Sequence, residues 1–150
     1  MKRIIHITLT LLVISMLAPG CQKYDDGGLI SKSDKRLNQS WSLENYVRNG
    51  SSTNLKMLIK NYEEEFNENG NYQRSYQDTL GHHYFDTGSW RLSEDKSKIY
   101  VASLEKLPVS SMDVQLTTEV YTVLRLKSKE LKYSFVSEGN LHEFTLKRKD

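Results

Sequence analysis

The sequence contains one cysteine, Cys21, and only two prolines in 150 residues. A single cysteine cannot form an internal disulfide, so a hydrophobic core has to stabilise the fold by itself. A chain of this length is sufficient for one domain with such a core. The fold therefore does not depend on disulfides, and Cys21 needs another explanation in an exported protein.

Long apolar runs are also scarce, and the only one lies at the start of the chain. Residues 4–17 are mainly apolar, Lys2 and Arg3 precede them, and small residues occupy positions 18–20. A basic start, a short apolar stretch and a small-residue exit are typical of a secretory signal peptide, which is too short to be a membrane-spanning helix. The sequence therefore predicts a signal peptide over residues 1–20.

The position of Cys21 resembles the lipobox of bacterial lipoproteins, because residues 17–21 are Leu-Ala-Pro-Gly-Cys. The resemblance implies that Cys21 becomes the first residue and carries two or three acyl chains, palmitate among them, since one chain alone binds a membrane only marginally. Gln22 is not the aspartate that retains such proteins at the inner membrane. We therefore expect an outer-membrane lipoprotein that faces the periplasm or the cell surface. The alternative is an ordinary secretory signal followed by a chance cysteine.

An excess of charge of one sign is also lacking. The chain has 21 basic and 19 acidic residues, and two of the basic residues lie in the predicted signal peptide. The remainder is electrically balanced and offers no electrostatic footprint for nucleic acid or for an anionic membrane face. We therefore expect no nucleic-acid partner, and membrane attachment only through the lipid on Cys21.

The residues that follow the predicted anchor divide into a linker and a domain. Residues 21–36 are rich in Asp, Gly, Ser and Lys and have no apolar period. Such a composition cannot offset the entropy lost on ordering, so these residues are expected to form a flexible, lipidated tether. Residues 37–150 are expected to form one folded domain.

From residue 37 onward, apolar and polar residues alternate as they do in β-strands, and turn residues recur at regular intervals. In the first strand, Trp41, Leu43, Asn45 and Val47 are predicted to share one face. The pattern indicates seven or eight strands and one short helical turn at residues 54–60. An antiparallel meander loses its unpaired edges when it closes, so the predicted fold is an all-β, up-and-down barrel of about eight strands. Its interior is either filled by side chains or holds one small ligand.

One predicted hairpin brings charged and aromatic residues together inside this barrel. If Phe66 pairs with Tyr72, the same register pairs Glu64 with Arg74 and Tyr62 with Tyr76, all on the inner face. Aromatic walls with a few convergent polar groups are typical of a small-molecule pocket. We interpret this face as a site at which Arg74 and the tyrosines recognise a ligand with an acidic or hydroxylated head. The alternative is a partly solvated ion pair at the barrel mouth that contributes little.

Motifs of enzymes and metal sites are absent from the sequence. It has no nucleophile elbow, no phosphate-binding glycine loop and no pair of carboxylates at helical spacing. His82 and His83 are adjacent, so on a strand they point to opposite faces and do not form a metal site with Asp86. His142 alternates with apolar residues and fits an interior or rim histidine. We therefore expect no enzymatic activity, no metal and no cofactor.

Several landmarks resemble the lipocalin-like domain lipoproteins of Gram-negative bacteria. Trp41 lies in the first strand, a hairpin covers residues 66–72, Gly-Ser-Trp occupies positions 88–90 before a strand, and the final meander begins near Tyr121. The resemblance covers about residues 37–148. It implies a barrel that holds an apolar or amphipathic molecule, and it implies no catalytic residues.

We therefore expect a membrane-anchored, non-enzymatic binding protein that holds a small hydrophobic or amphipathic ligand in its barrel. The expected ligand-binding residues are Trp41, Tyr62, Glu64, Tyr72, Arg74, Tyr76 and Trp90. The alternative is an envelope interaction or assembly lipoprotein whose barrel is filled and whose outer surface docks a protein partner. A hydrolase is a minor third possibility, which would require an acid or base with a perturbed pKa in a cleft.

Overall fold

The computed structural model describes residues 23–52, 55–106 and 114–150. The predicted signal peptide over residues 1–20 and the predicted lipidation site Cys21 lie outside the described residues. Both therefore stay predictions.

The described residues form a closed antiparallel β-barrel. Each long strand pairs with the next long strand in the chain, and the last strand pairs with the first. A two-residue strand pairs with the first strand alone. The strands are β1 (Ser40–Arg48), β2 (Ser51–Ser52), β3 (Ile59–Phe66), β4 (Asn71–Asp78), β5 (His83–Leu92), β6 (Lys98–Lys106), β7 (Val114–Leu126), β8 (Glu130–Ser137) and β9 (Asn140–Arg148). Eight long strands thus close the barrel, which confirms the predicted fold class.

Helical structure is limited to three short segments of the described chain. Two are 3₁₀ turns, Ile30–Lys32 and Leu55–Met57, and the third is the α-helix α1 (Ser33–Leu37). The helical turn predicted at residues 54–60 is therefore the second 3₁₀ turn. The five-residue α-helix lies before the barrel, in the part that the sequence predicted to be a tether.

Residues 23–37, here called the N-terminal plug, pack against one end of the barrel. Tyr24 is 5% exposed and Leu37 is completely buried. The Tyr24 hydroxyl donates a hydrogen bond of 2.8 Å to the carbonyl oxygen of Lys96, in the turn between β5 and β6. The structure thus differs from the predicted flexible tether over residues 21–36. The polar composition of this segment hides apolar side chains, of which Tyr24 is buried and Ile30 packs against the core, and their burial offsets the entropy lost on ordering.

Gly28 allows the plug to lie directly against β7. Its φ is +103°, and a Cβ atom at this position would lie 2.1 Å from the carbonyl oxygen of Leu126. Only glycine permits such a close approach of two backbones. Next to this contact, the backbone N–H of Asp26 donates to the carbonyl oxygen of Leu124 at 2.7 Å. Backbone contacts and buried side chains therefore hold the plug against the barrel.

A β-bulge in β1 changes which side chains face the interior. The register of β1 against β9 shifts between Leu43 and Asn45. Tyr46 is consequently buried at 7% exposure, whereas Asn45 is exposed. The prediction that Asn45 and Val47 share the inner face with Trp41 and Leu43 is wrong, because one extra residue reverses the alternation of the strand.

The two ends of the barrel differ in packing. At the plug end, the inward side chains form a fully buried core of Trp41, Phe66, Tyr72, Ile99, Leu126, Leu131 and Leu146. At the opposite end, inward side chains such as Arg74, Tyr76, Phe135 and His142 keep partial exposure. We call these the closed end and the open end. Solvent therefore reaches the interior from the open end.

Candidate functional site in the barrel interior

β3 and β4 form the hairpin that the sequence predicts. Phe66 lies opposite Tyr72, and Glu64 lies opposite Arg74. Since same-face positions repeat every second residue, all four side chains point into the barrel. The predicted pairs Phe66–Tyr72 and Glu64–Arg74 are therefore confirmed, and they place a carboxylate and a guanidinium side by side in the interior. The register shifts between Lys60 and Glu63, so the predicted pairing of Tyr62 with Tyr76 falls at an irregularity of β3 and is not part of the ladder.

Glu64 lies at the centre of a cluster of tyrosine hydroxyls. Its side chain is completely buried. Its Oε1 accepts hydrogen bonds from the hydroxyls of Tyr62 at 2.5 Å, Tyr133 at 2.7 Å and Tyr72 at 3.3 Å. We call these four residues the tyrosine–glutamate cluster. They form a polar layer between the apolar core of the closed end and the open half of the interior.

Burial shifts the pKa values in this layer. It raises the pKa of Glu64, although the charge of Arg74 and the hydrogen bonds from Tyr62 and Tyr133 act in the opposite direction. Burial, reinforced by the nearby carboxylate, raises the pKa of Tyr62, Tyr72 and Tyr133 well above 10.0. These tyrosines therefore remain protonated donors across the physiological pH range.

Arg74 is bonded to carboxylates on two other strands. Its Nε donates to Oδ2 of Asp86 at 2.7 Å, and its Nη1 donates to Oε2 of Glu119 at 3.1 Å. The hydroxyl of Tyr121 donates to the same Glu119 oxygen at 2.6 Å. The sequence predicted Glu64 as the ionic partner of Arg74, whereas the guanidinium binds these carboxylates of β5 and β7. We call Arg74, Asp86, Glu119 and Tyr121 the arginine–carboxylate cluster.

Two carboxylate oxygens in these clusters are buried without a hydrogen-bond partner. They are Oε2 of Glu64 and Oδ1 of Asp86. Glu64 is 0% exposed and Asp86 is 1% exposed. Most buried polar atoms in folded proteins have a partner, so each exception requires an explanation. Both oxygens belong to inward-facing side chains, which means that the interior has unused hydrogen-bond acceptors.

Aromatic rings line the open half of the interior. Tyr76 and Tyr84 stack with centroids 4.6 Å apart at an angle of 4°. Phe135 stacks on His142 at 5.0 Å, and Nδ1 of His142 lies 2.6 Å from the hydroxyl oxygen of Tyr46. His142 is therefore a hydrogen-bonded histidine of the inner wall, as its position in the sequence pattern predicts.

The barrel wall has a groove between β1 and β3. These strands pair at residues 40–42 and 63–65 and then separate toward the open end. The groove has a volume of about 450 Å³. Tyr62 reaches both the groove and the interior, where its ring lies 6.2 Å from that of Tyr76. The lining residues are Ser42, Leu43, Ile59, Lys60, Asn61, Tyr62 and Glu63.

The two tryptophans lie apart from the open half. Trp41 is fully buried, and its indole N–H donates to the carbonyl oxygen of Leu37 in the plug at 3.2 Å. The indole N–H of Trp90 donates to the carbonyl oxygen of Asn67 at 3.0 Å, and its ring packs edge-on against Phe66. The structure therefore places these two predicted site residues at the closed end, whereas Tyr62, Glu64, Arg74 and Tyr76 lie nearer the open end. Tyr72 contacts both groups, because its ring packs on Phe66 and its hydroxyl donates to Glu64.

The sequence reasoning missed several members of the two clusters. Asp86 lies opposite Arg74 across β4 and β5, so extending the hairpin register by one strand would have found it. Glu119 lies opposite Val101 on β6, and its contact with Arg74 crosses the barrel interior. No local pattern in the sequence signals a contact of that kind.

Of the two adjacent histidines, His82 contacts Asp78 at the rim of the barrel. Nδ1 of His82 lies 2.9 Å from Oδ2 of Asp78, and the His82 side chain is 48% exposed. Within residues 23–52, 55–106 and 114–150, no three His, Cys, Asp or Glu side chains are grouped so that they could hold a metal ion. The same residues contain no helix that is long and apolar enough to span a membrane.

Comparison with protein-family models gives a match that covers most of the barrel. The family model of a lipocalin-like domain matches residues 37–133, which is more than half of the chain. The matched segment begins at the last residue of α1 and ends within β8, so it includes both clusters. No curated protein matches this chain.

Proposed function

Because this chain belongs to the lipocalin-like domain family, we propose that it is a non-enzymatic binding protein that holds a small hydrophobic or amphipathic ligand in its barrel. One observation carries the proposal. The plug and a buried core fill the closed end, whereas inward aromatic and charged side chains remain partly exposed at the open end. Concave, mainly apolar sites with a few convergent polar groups are typical of small-molecule binding.

We place the ligand in the open half, above a floor that includes the tyrosine–glutamate cluster. Arg74 is 16% exposed and Tyr76 is also partly exposed, so both are accessible from the open end. Tyr62, Tyr72 and Glu64 form the floor beneath. Trp41 and Trp90 lie deeper, where they support the floor from the closed end.

A fluorescence titration tests the binding site. The full chain is titrated with N-phenyl-1-naphthylamine, a neutral apolar probe whose emission rises in an apolar environment. Thr117 faces inward on β7 and Thr122 faces outward on the same strand. We expect Thr117→Phe, which fills the open half, to weaken saturable probe binding at least tenfold, and Thr122→Phe to leave it unchanged. Equal binding by the two variants would place the probe elsewhere and contradict the proposal.

We also propose that Cys21 carries the lipid that anchors the protein in the outer membrane, facing the periplasm or the cell surface. The support is the signal-peptide pattern in residues 1–20 and the position of the cysteine directly after it. Cells that express the full chain are labelled with radioactive palmitate. We expect label in the wild-type protein and none in Cys21→Ser. A wild-type protein that never takes up label would show that the lipid anchor is wrong.

A second candidate function is the docking of an envelope protein on the outer surface. Leu104 and Leu116 pair across β6 and β7 and are 45% and 68% exposed, and Phe85 on β5 is 43% exposed. Contiguous exposed apolar side chains mark interaction sites. Chemical cross-linking in cells tests this function. A cross-linked partner that is lost in Leu116→Asp but kept in Thr122→Asp would favour docking, and identical cross-linking of both variants would exclude this patch.

A further inference from the structure

We propose that the polar group of the ligand is cationic, so that the barrel accepts a protonated amine amphiphile and discriminates against a carboxylate. The inference rests on the proposed binding function and names the chemical class of the ligand. It differs from the sequence-based interpretation, in which Arg74 recognises an acidic head.

The charge balance of the interior is the first observation. Among the inward side chains that the structure describes between the closed-end core and the rim, three are carboxylates, Glu64, Asp86 and Glu119, and one is a guanidinium, Arg74. The interior is therefore negative when Glu64 is ionised, and it remains negative when Glu64 is protonated.

The second observation is that Arg74 is already neutralised. Its Nε and Nη1 donate to Asp86 and Glu119, at 2.7 Å and 3.1 Å. A ligand carboxylate would have to compete with both groups and would add a further negative charge to a site of low dielectric. A cation would instead bring the buried charges into balance.

Unused acceptors are the third observation. Oδ1 of Asp86 and Oε2 of Glu64 are buried and have no hydrogen-bond partner, and both side chains face inward. A buried acceptor without a partner destabilises the folded protein, because it loses its hydrogen bonds to water and gains none in return. An ammonium group carries donors and no acceptor, so it satisfies such oxygens, whereas a carboxylate has acceptors only.

The walls of the open half favour the same chemistry. The stacked rings of Tyr76 and Tyr84, and of Phe135 and His142, present aromatic surface next to the arginine–carboxylate cluster. The faces of tyrosine and phenylalanine rings attract cations electrostatically. Glu119 is 22% exposed although it faces inward, so a ligand that enters from the open end can reach its carboxylate.

Three probes with the same apolar chain separate charge from hydrophobicity. Dodecylamine, dodecanol and dodecanoate, each below its micelle-forming concentration at pH 7.5, compete with N-phenyl-1-naphthylamine for the full chain. We expect dodecylamine to displace the probe at a concentration at least tenfold lower than dodecanoate, with dodecanol between them. Equal or tighter binding of dodecanoate overturns the inference and leaves the proposed function intact. Displacement by none of the three overturns the proposed function itself.

A matched pair of variants locates the charge preference. Glu119→Gln removes one interior charge but keeps an acceptor for Tyr121, and Glu143→Gln removes a charge from an outward side chain of β9 with a comparable exposure of 28%. We expect Glu119→Gln to weaken dodecylamine binding about tenfold without changing dodecanol binding, and Glu143→Gln to change neither. The same affinity for dodecylamine in both variants would show that the interior charge does not select the ligand.

Discussion

Glu64 shows how a single residue can be well bonded and still destabilise the fold. Three tyrosine hydroxyls donate to its Oε1, yet Oε2 has no partner and the side chain is completely buried. Removing a carboxylate from water disfavours its ionised form, so burial raises the pKa of Glu64. The native protein therefore binds a proton at this site more tightly than the unfolded chain does.

The pH dependence of stability follows from this shift. The contribution of Glu64 is most favourable at a pH below its ordinary pKa of 4.5, and it is lost as the pH rises through the raised pKa of the folded state. We expect Glu64→Gln, which does not titrate, to gain stability relative to wild type as the pH rises from 4 to 7. The measurement is the free energy of unfolding in urea at each pH.

The quantity to compare is the difference in the free energy of unfolding between wild type and Glu64→Gln. Other carboxylates contribute to the pH dependence of stability with the opposite sign, and they are the same in both proteins. Hydrogen bonds from Ser93 and Ser97 lower the pKa of Asp95 to about 2, for example, and this contribution is common to both proteins. A difference that stays constant between pH 4 and pH 7 would mean that Glu64 titrates normally in the folded protein.

At the scale of elements, the contact between β5 and β6 depends on one glycine. A Cβ atom on Gly88 would lie 2.0 Å from the carbonyl oxygen of Ala102 and 2.6 Å from the Cα of Ser103. Both neighbours are backbone atoms of a paired strand, so they cannot move without separating the two strands. The Gly-Ser-Trp landmark at positions 88–90 thus has a structural cause, which is the close approach of two strands.

We expect Gly88→Ala to destabilise the protein by about 3 kcal/mol or more, because an inserted methyl group forces a backbone shift in a packed barrel. Ser89→Ala is the control, since Ser89 is the next residue on the same strand and faces outward. The midpoint of urea unfolding should fall for the first variant and remain within error for the second. A Gly88→Ala midpoint equal to that of wild type would contradict the close approach.

At the scale of the whole molecule, closure of the barrel and the N-terminal plug act together. β1 pairs with β9, so the sheet has no long free edge. The plug then covers one end, where Tyr24, Leu37 and Trp41 are buried together in the core.

Removing the Tyr24 side chain should weaken the whole barrel. Tyr24→Ala leaves a cavity beneath the plug and removes the hydrogen bond to Lys96, so we expect a loss of about 3 kcal/mol. The control is Lys23→Ala, an exposed neighbour. The measurement is the Tm followed by far-ultraviolet circular dichroism, which reports on all strands together. If both variants melted at the wild-type temperature, the plug would not contribute to the stability of the barrel.

Local pattern was enough to predict the class of fold and one hairpin of the site. Alternation and turn residues predicted the strands, and the turn between β3 and β4 fixed the pairing of Glu64 with Arg74. The same reasoning was wrong at the bulge in β1, because one extra residue reverses the face of every residue after it. It also missed the plug, because Tyr24 is an isolated aromatic residue in a polar segment.

The sequence by itself determined that this protein is an all-β barrel, because alternation with period two acts between near neighbours along each strand. Only the tertiary structure decided that Glu119 contacts Arg74, because Glu119 lies 45 residues away in the chain and reaches it across the barrel interior, whereas Asp86 is the neighbour of Arg74 on the adjacent strand. The sign of the interior charge, and with it the expected chemistry of the ligand, depends on that long-range contact. The proposed lipid anchor, by contrast, rests on sequence alone.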